Sequence, residues 1–312
     1  MTTHQLDAVR WHRPLLALAV AMALLALFCI GGLIFDSRQV LGVNVWEKPL
    51  KFAISTVIYA VTWSWLLAQL RRFRRLGWWA GTISATLLAI ELIIIVGAAA
   101  AGVTSHFNVS TPLATTLWAI MAFSISALWI ATFVVSILLF RNPLGDRARA
   151  IAIRSGAILA LVGMGLAFLM TGPQGDQISD YRGVIGAHSV GVDDGGPGLP
   201  LLGWSTIGGD LRIPHFVGMH ALQVIPLVII VIELLSSRIA ALRDLTVRFR
   251  IMVIVAVSYA SVLALLTWQA LRGQSIVQPD AATLAVATSI AVAAIAAVLV
   301  VGRQRSVTGA PA

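Results

Sequence analysis

Eight long apolar runs set the terms on which this chain can fold. They cover roughly 14–35, 50–70, 77–101, 112–140, 152–171, 215–235, 251–271 and 281–302. Each is about 20 residues or longer, and at roughly 1.5 Å of rise per residue a helix of that length crosses the ~30 Å hydrocarbon core of a bilayer. The chain therefore reads as an all-α integral membrane protein with about eight transmembrane helices. Charged residues are only 11% of the sequence, against roughly 25% in a soluble domain. That is too little to coat a water-facing surface, so lipid is the expected main solvent and the bilayer the expected partner.

The basic residues give an orientation. Arg71, Arg72, Arg74 and Arg75 follow the second run; Arg141, Arg147, Arg149 and Arg154 surround the fourth connection; Arg238, Arg243, Arg248 and Arg250 surround the sixth. Arg10 and Arg13 precede the first run, and Arg303 and Arg305 follow the last. These clusters share one side only if the number of spans is even, and the positive-inside rule makes that side cytoplasmic. Arg38, Lys48, Lys51, Arg182, Arg212 and Arg272 are left for the other side. A multi-pass cell-membrane protein with both termini in the cytoplasm follows. The net charge of +9 is then a product of topology and does not point to nucleic acid. Cys29 is the single cysteine, which excludes a disulfide within the chain and any cysteine-based zinc motif. The first run is long for a signal segment and lacks a small-x-small cleavage site, so it reads as a retained helix.

The halves 1–150 and 151–312 would hold four spans each, the second with a long extracytoplasmic loop over 172–214 between the fifth and sixth spans. Lys48-Pro49-Leu50-Lys51-Phe52 opens the second span and Arg212-Ile213-Pro214-His215-Phe216 the sixth. Ala99, Gly102 and Thr104 end the third span much as Ala270, Gly273 and Ser275 end the seventh. A parallel repeat is one reading and chance likeness between apolar helices the other. The loop is rich in turn formers, as in Asp193-Asp194-Gly195-Gly196-Pro197-Gly198-Leu199-Pro200. Its Leu201, Leu202 and Trp204 favour an ordered cap over a disordered tether. Gly163 and Gly165 suggest close helix packing, and Trp46, Trp78, Trp79, Trp204 and Trp268 suit interfacial belts.

Chemistry-bearing residues are few. His4 and His12 fall in the N-terminal segment, where solvent is expected. His106, His188, His215 and His220 gather on the extracytoplasmic side. Neutral imidazole is the commonest metal ligand, so these four form a candidate site for a divalent metal or a haem. His215 and His220 are five apart, about 140° around a helix, and would share an ion only if the sixth span opened irregularly. Glu91 stands alone within the third span. A carboxylate there costs several kcal/mol unless it is protonated or paired, which makes it a candidate catalytic or proton-handling group. Gln223 and Tyr59 fall at a similar depth, and Lys51 and Asp210 lie near the same outer side, as candidate second-shell or substrate contacts. Glu233 is expected among the headgroups near Arg238.

In outline, eight spans with outer-side histidines resemble heme A synthase. That family carries its haem-ligating histidines on the second and fourth helices of each half, whereas here only the sixth span holds histidine. The membrane zinc hydrolases of the ceramidase type are a second comparison, and their histidine spacing is not reproduced. Neither family's cofactor or substrate transfers to this chain. Three readings follow: a metal- or haem-dependent oxidoreductase or hydrolase acting on a small molecule or lipid, a proton- or cation-coupled transporter using Glu91, and an assembly factor without catalysis. The oligomeric state is left open.

Overall fold

The structure, a computed structural model, describes residues 11–308, apart from the side chains of Asp176 and of residues 303–308. His4 and Arg10 lie outside these residues. The long helices are α1 (Arg13–Phe35), α2 (Glu47–Ala68), α3 (Arg74–Ala101), α4 (Pro112–Phe140), α5 (Arg147–Leu166), α7 (Arg212–Leu235), α8 (Leu245–Leu271) and α9 (Ala281–Thr308), with a single-turn α6 at Gly175–Ser179. Eight helices are long and apolar enough to cross a membrane, α5 being extended to Met170 by a 3-10 turn. Their flanks carry Phe35, Ile93, Leu113 and Phe123 exposed.

Several helices begin before their apolar run: α2 at Glu47, α7 at Arg212 and α8 at Leu245. A polar first turn extends a helix when its orphan N–H groups find local acceptors. Asp244 accepts from Thr246 N at 2.7 Å, and Asp146 accepts from Arg149 N at 2.9 Å at the start of α5.

The chain folds into two compact units. The first holds residues up to Asn142 together with Thr171–Ala187 and Asp194–Gly203; the second holds Pro143–Met170, His188–Asp193 and the chain from Trp204. The connection over 172–214 is thus divided between them. Within the first unit, α1 packs chiefly on α2, α3 on α4, then α2 on α3 and α1 on α3. Within the second, α5 packs chiefly on α7, followed by α8 with α9, α5 and α7. In each unit the first helix leans on the second and third, and the third pairs with the fourth.

Each unit also sends a two-residue strand into its second helix. In the first unit β1 (Gln39–Val40) pairs antiparallel with β2 (Val43–Asn44). Leu41 and Gly42 form the turn at φ 52° and 75°, the doubly left-handed conformation that a tight hairpin needs. Trp46, expected at an interface, is instead buried: its indole donates to Asp36 Oδ2 at 2.8 Å. Arg38 and then Trp46 hold the Asp36 carboxyl well below the usual carboxylate range. In the second unit β3 (Ser189–Val190) pairs antiparallel with β4 (Gly209–Asp210).

The second unit is closed by small residues. Ala148, Ala152, Gly156 and Ala160 recur every four residues on α5 and are all buried. Gly163, on the same helix, presses its backbone on Gly218 of α7. At the far end of the same pair, Arg149 grips Glu233 with two bonds of 2.6 Å. The expected neighbour Arg238 is not the partner, because a fork-shaped guanidinium on the facing helix satisfies both carboxylate oxygens at once.

In the first unit, Asn142 at the end of α4 is buried and organises the turn between α2 and α3. Its Oδ1 accepts from Arg71 N at 2.9 Å and Arg72 N at 2.7 Å, and its Nδ2 donates to Leu138 O at 2.8 Å. Asn142→Ala strands two backbone donors. We expect a loss of about 2 kcal/mol, read as a lowered Tm in detergent; an unchanged Tm would show that water replaces the amide.

Candidate functional site

The structure separates the sequence-derived residues by unit. Glu91, Tyr59, Lys51 and His106 belong to the first; His188, Asp210, His215, His220 and Gln223 belong to the second.

On α3 the buried positions recur as Gly77, Ala80, Gly81, Ser84, Ala85, Leu88, Glu91, Leu92, Ile95 and Ala99. That three-to-four spacing is one helix face, so Glu91 points into the first unit, where it is 4% exposed. No hydrogen bond from another described residue closes on its carboxyl. The charge that reaches it is that of Lys48, in the first turn of α2. Helical side chains lean toward the helix N-terminus, which aims Glu91 down its own face toward Ser84, about 10 Å along the axis.

Ser84 sits in a polar cluster about two to three turns in from the end of the unit where α1 and α3 start and α2 and α4 finish. Tyr59 OH shares a hydrogen bond of 3.1 Å with Thr132 Oγ1, and Ser84 lies within hydrogen-bonding reach of the same phenol. Trp63 packs its ring against Tyr59, with centroids 5.9 Å apart. These side chains, with Leu15, Leu67, Gly81 and Val135, line a cavity that leaves ≈ 10 Å³ for the centre of a water molecule.

His12 closes this end of the unit, and here the expectation of a solvated side chain fails: it is 4% exposed. Its Nδ1 accepts from Leu15 N at 3.3 Å, capping α1, so Nε2 carries the proton and donates to Trp78 O at 2.9 Å. Its own backbone N–H donates to Ser64 Oγ at 2.7 Å. Burial pushes its pKa down, opposed by the bond to the Trp78 carbonyl. A base with a depressed folded-state pKa binds fewer protons folded than unfolded, so its contribution to stability is present at high pH. It is lost as pH falls from about 6.5 through the folded value. We expect Tm in detergent to drop by a few degrees more between about pH 7.5 and about pH 5.5 than it does in His12→Asn, which can still cap α1. Equal slopes would remove His12 as the acid-sensitive group.

His106 lies among Phe52, Phe107 and Trp118, with ring centroids 5.7, 6.1 and 5.4 Å away, and its Nδ1 meets Ser105 Oγ at 3.0 Å. Lys51 reaches Glu47 Oε2 at 3.8 Å and Leu202 O at 3.3 Å.

In the second unit, α7 is regular from Arg212, so His215 and His220 keep their five-residue offset around the helix. Each places Nδ1 on a backbone carbonyl at 2.8 Å, His215 on Gly163 O and His220 on Phe216 O. A carbonyl only accepts, so Nδ1 carries the proton and Nε2 keeps its lone pair. His188 and His220 lie within Coulombic range of His215. Asp210 is wholly buried and committed to the turn before α7: it accepts from Ser205 N at 2.8 Å and from Arg212 N at 3.0 Å and Nε at 2.9 Å. Gln223 is partly buried about three turns into α7. Among the described residues, no three His, Cys, Asp or Glu side chains gather into a group that could hold a metal ion.

No family model, curated protein or solved structure matches the chain. The functional argument therefore rests on the residues themselves. His12, Trp63, Ser84 and Thr132 were missed by sequence reasoning. The spacing of Ser84 and Glu91, seven apart and so on one helix face, was the available signal for Ser84. Nothing local marked the other three.

Proposed function

We propose that the chain is a proton- or cation-coupled transporter of the cell membrane, with both termini in the cytoplasm and Glu91 as the coupling group. One observation carries this reading: Glu91 is buried inside a four-helix unit with only the charge of Lys48 reaching it. A carboxylate in that setting must be paired or take up a proton, which is what a coupling site alternates between. The one-water cavity on the same face suits a proton or a small ion better than an organic solute. The arginine clusters support the orientation, the exposed apolar flanks support the bilayer as partner, and the matching order of helix packing in the two units supports a parallel repeat.

The test uses the full chain in proteoliposomes. A hydrophobic carbodiimide, which attacks carboxyl groups in apolar surroundings, is expected to label Glu91 and to abolish proton flux recorded by an internal dye when Na⁺ or K⁺ is added outside. Glu91→Gln is expected to lose both the label and at least about tenfold of the flux. Flux that is absent from the wild type, or undiminished in Glu91→Gln, overturns the reading.

A second reading keeps a divalent metal or a haem on the histidines, favoured by the carbonyl bonds that free Nε2 of His215 and His220. Elemental analysis and an absorbance spectrum of the purified protein decide it. A stoichiometric metal or a Soret band lost in His220→Ala supports it, and a colourless, metal-free protein removes it.

A further inference from the structure

Trp63 is 3% exposed, and its indole N–H is fully buried with no acceptor among the described residues. A buried donor left unpaired costs about 1–3 kcal/mol, so native structures almost always supply an acceptor. The cavity lined by Trp63 contains the hydroxyls of Tyr59, Ser84 and Thr132 and leaves ≈ 10 Å³ for a water centre. A buried water needs about that much room and two to four polar partners. The indole supplies a donor that the protein leaves unmatched. Ser84 Oγ donates to Ala80 O at 2.9 Å and keeps lone pairs to accept with, while the Tyr59 and Thr132 hydroxyls can donate or accept by rotating a proton.

The position of the cavity gives this water a further meaning. Gly81 lines it, and a Cβ built on Gly81 would lie 3.1 Å from His12 Cε1 and Nε2. The imidazole therefore stands directly behind that wall, at the end of the unit where α1 begins. Ser84, on the same wall, shares the α3 face with Glu91 two turns away. Polar groups thus run from Thr82 (Oγ1 3.3 Å from His12 Nε2) to His12 and, beside Gly81, to the cavity. The intervening face positions are Ala85 and Leu88, both apolar. The water extends the polar groups near His12 as far as Ser84, from which Glu91 lies about 10 Å along α3.

We propose that this cavity binds one ordered water, donated to by Trp63 and shared by Tyr59, Ser84 and Thr132, and that it relays protons between the arginine-bearing end of the unit and Glu91. The relay rests on the reading of Glu91 as a proton site; the water does not. In a relay step the water accepts a proton from one side and releases a different proton to the other, so no net charge stays in the cavity.

The experiment has two arms on the full chain. In lipid nanodiscs with ¹⁵N-labelled tryptophan, the Trp63 indole resonance is assigned by its absence in Trp63→Phe. It is expected to show cross-relaxation to water, weakened in Tyr59→Phe with Thr132→Val. A Trp63 indole dry in the wild type overturns the water site. In proteoliposomes, Thr132→Val is expected to slow Glu91-dependent proton uptake about tenfold while carbodiimide labelling of Glu91 persists, and Thr132→Ser to restore the rate. An unchanged rate in Thr132→Val, or a loss that Thr132→Ser does not repair, overturns the relay. If Glu91→Gln itself leaves uptake unaltered, the transporter reading fails, and the nanodisc arm still decides the water.

Discussion

Gly163→Ala is expected to cost about 3 kcal/mol, and Gly163→Leu to yield no stably folded protein. A Cβ on Gly163 would fall 2.3 Å from Gly218 C and Met219 N and 2.4 Å from Gly218 Cα. These are backbone atoms, which no rotamer change can move aside. Relief requires α5 and α7 to separate by about an ångström, since carbon atoms pack at roughly 3.5–4.0 Å. Separation would stretch the bond from His215 Nδ1 to Gly163 O. It would also loosen the core of Ala148, Ala152, Ala221, Ile225 and Ile229 that the close approach creates. In a bilayer no hydrophobic force draws helices together, so close backbone contact is a main source of their affinity. The matched control is Gly97→Ala on α3, where nothing lies within 4 Å of the new Cβ. There the substitution is expected to be neutral or stabilising by roughly 0.5 kcal/mol, because alanine favours the helix. Tm in detergent and the monodisperse yield on size exclusion separate the two. A tolerated Gly163→Ala would show that α5 and α7 are less tightly apposed than described.

How much of this was written in the sequence depends on the range of the interaction. Hydropathy over twenty residues depends on local composition alone, and all eight long helices are found where it places them, with α2, α7 and α8 starting earlier, at Glu47, Arg212 and Leu245. Gly163 and Gly165 signalled close packing of the fifth span, while the i, i+4 rhythm from Ala148 to Ala160 on the same helix went unread. Glu91 stood out because a lone acid in an apolar run is costly wherever the helix goes. Pairings across distance were not legible. Arg149 meets Glu233 from 84 residues away, and His12 is buried by Ser64 and Trp78, 52 and 66 residues on. Trp63, Ser84 and Thr132 are ordinary membrane-helix residues, and they become a site only because three helices bring them around one cavity.

Reversing the charge at Glu91 is expected to be the most damaging single change in the first unit, and reversing Lys48 with it is expected to repair part of the damage. Glu91→Lys would place two cations within Coulombic reach in a buried setting. At an effective dielectric near 20, two unit charges about 5–8 Å apart interact by about 2–3 kcal/mol. The single substitution replaces that attraction with a repulsion of similar size and adds the penalty of an unsatisfied buried ammonium. Folded yield should therefore collapse. Lys48→Glu alone sets two acids against each other and should be milder, because Lys48 is half-buried while Glu91 is deep. The double variant Glu91→Lys with Lys48→Glu restores opposite charges at the same separation. Its recovery is expected to be partial, since Lys48 has interactions besides the one with Glu91. Yield and Tm for the four proteins form a double-mutant cycle whose coupling should favour the double variant by about 2 kcal/mol or more over the sum of the singles. Additive damage would mean that Lys48 does not govern the charge on Glu91. The coupling chemistry would then have to run through proton uptake on Glu91 alone, and Glu91→Gln, which keeps the shape and removes the titration, would fold at least as well as the wild type while still losing flux.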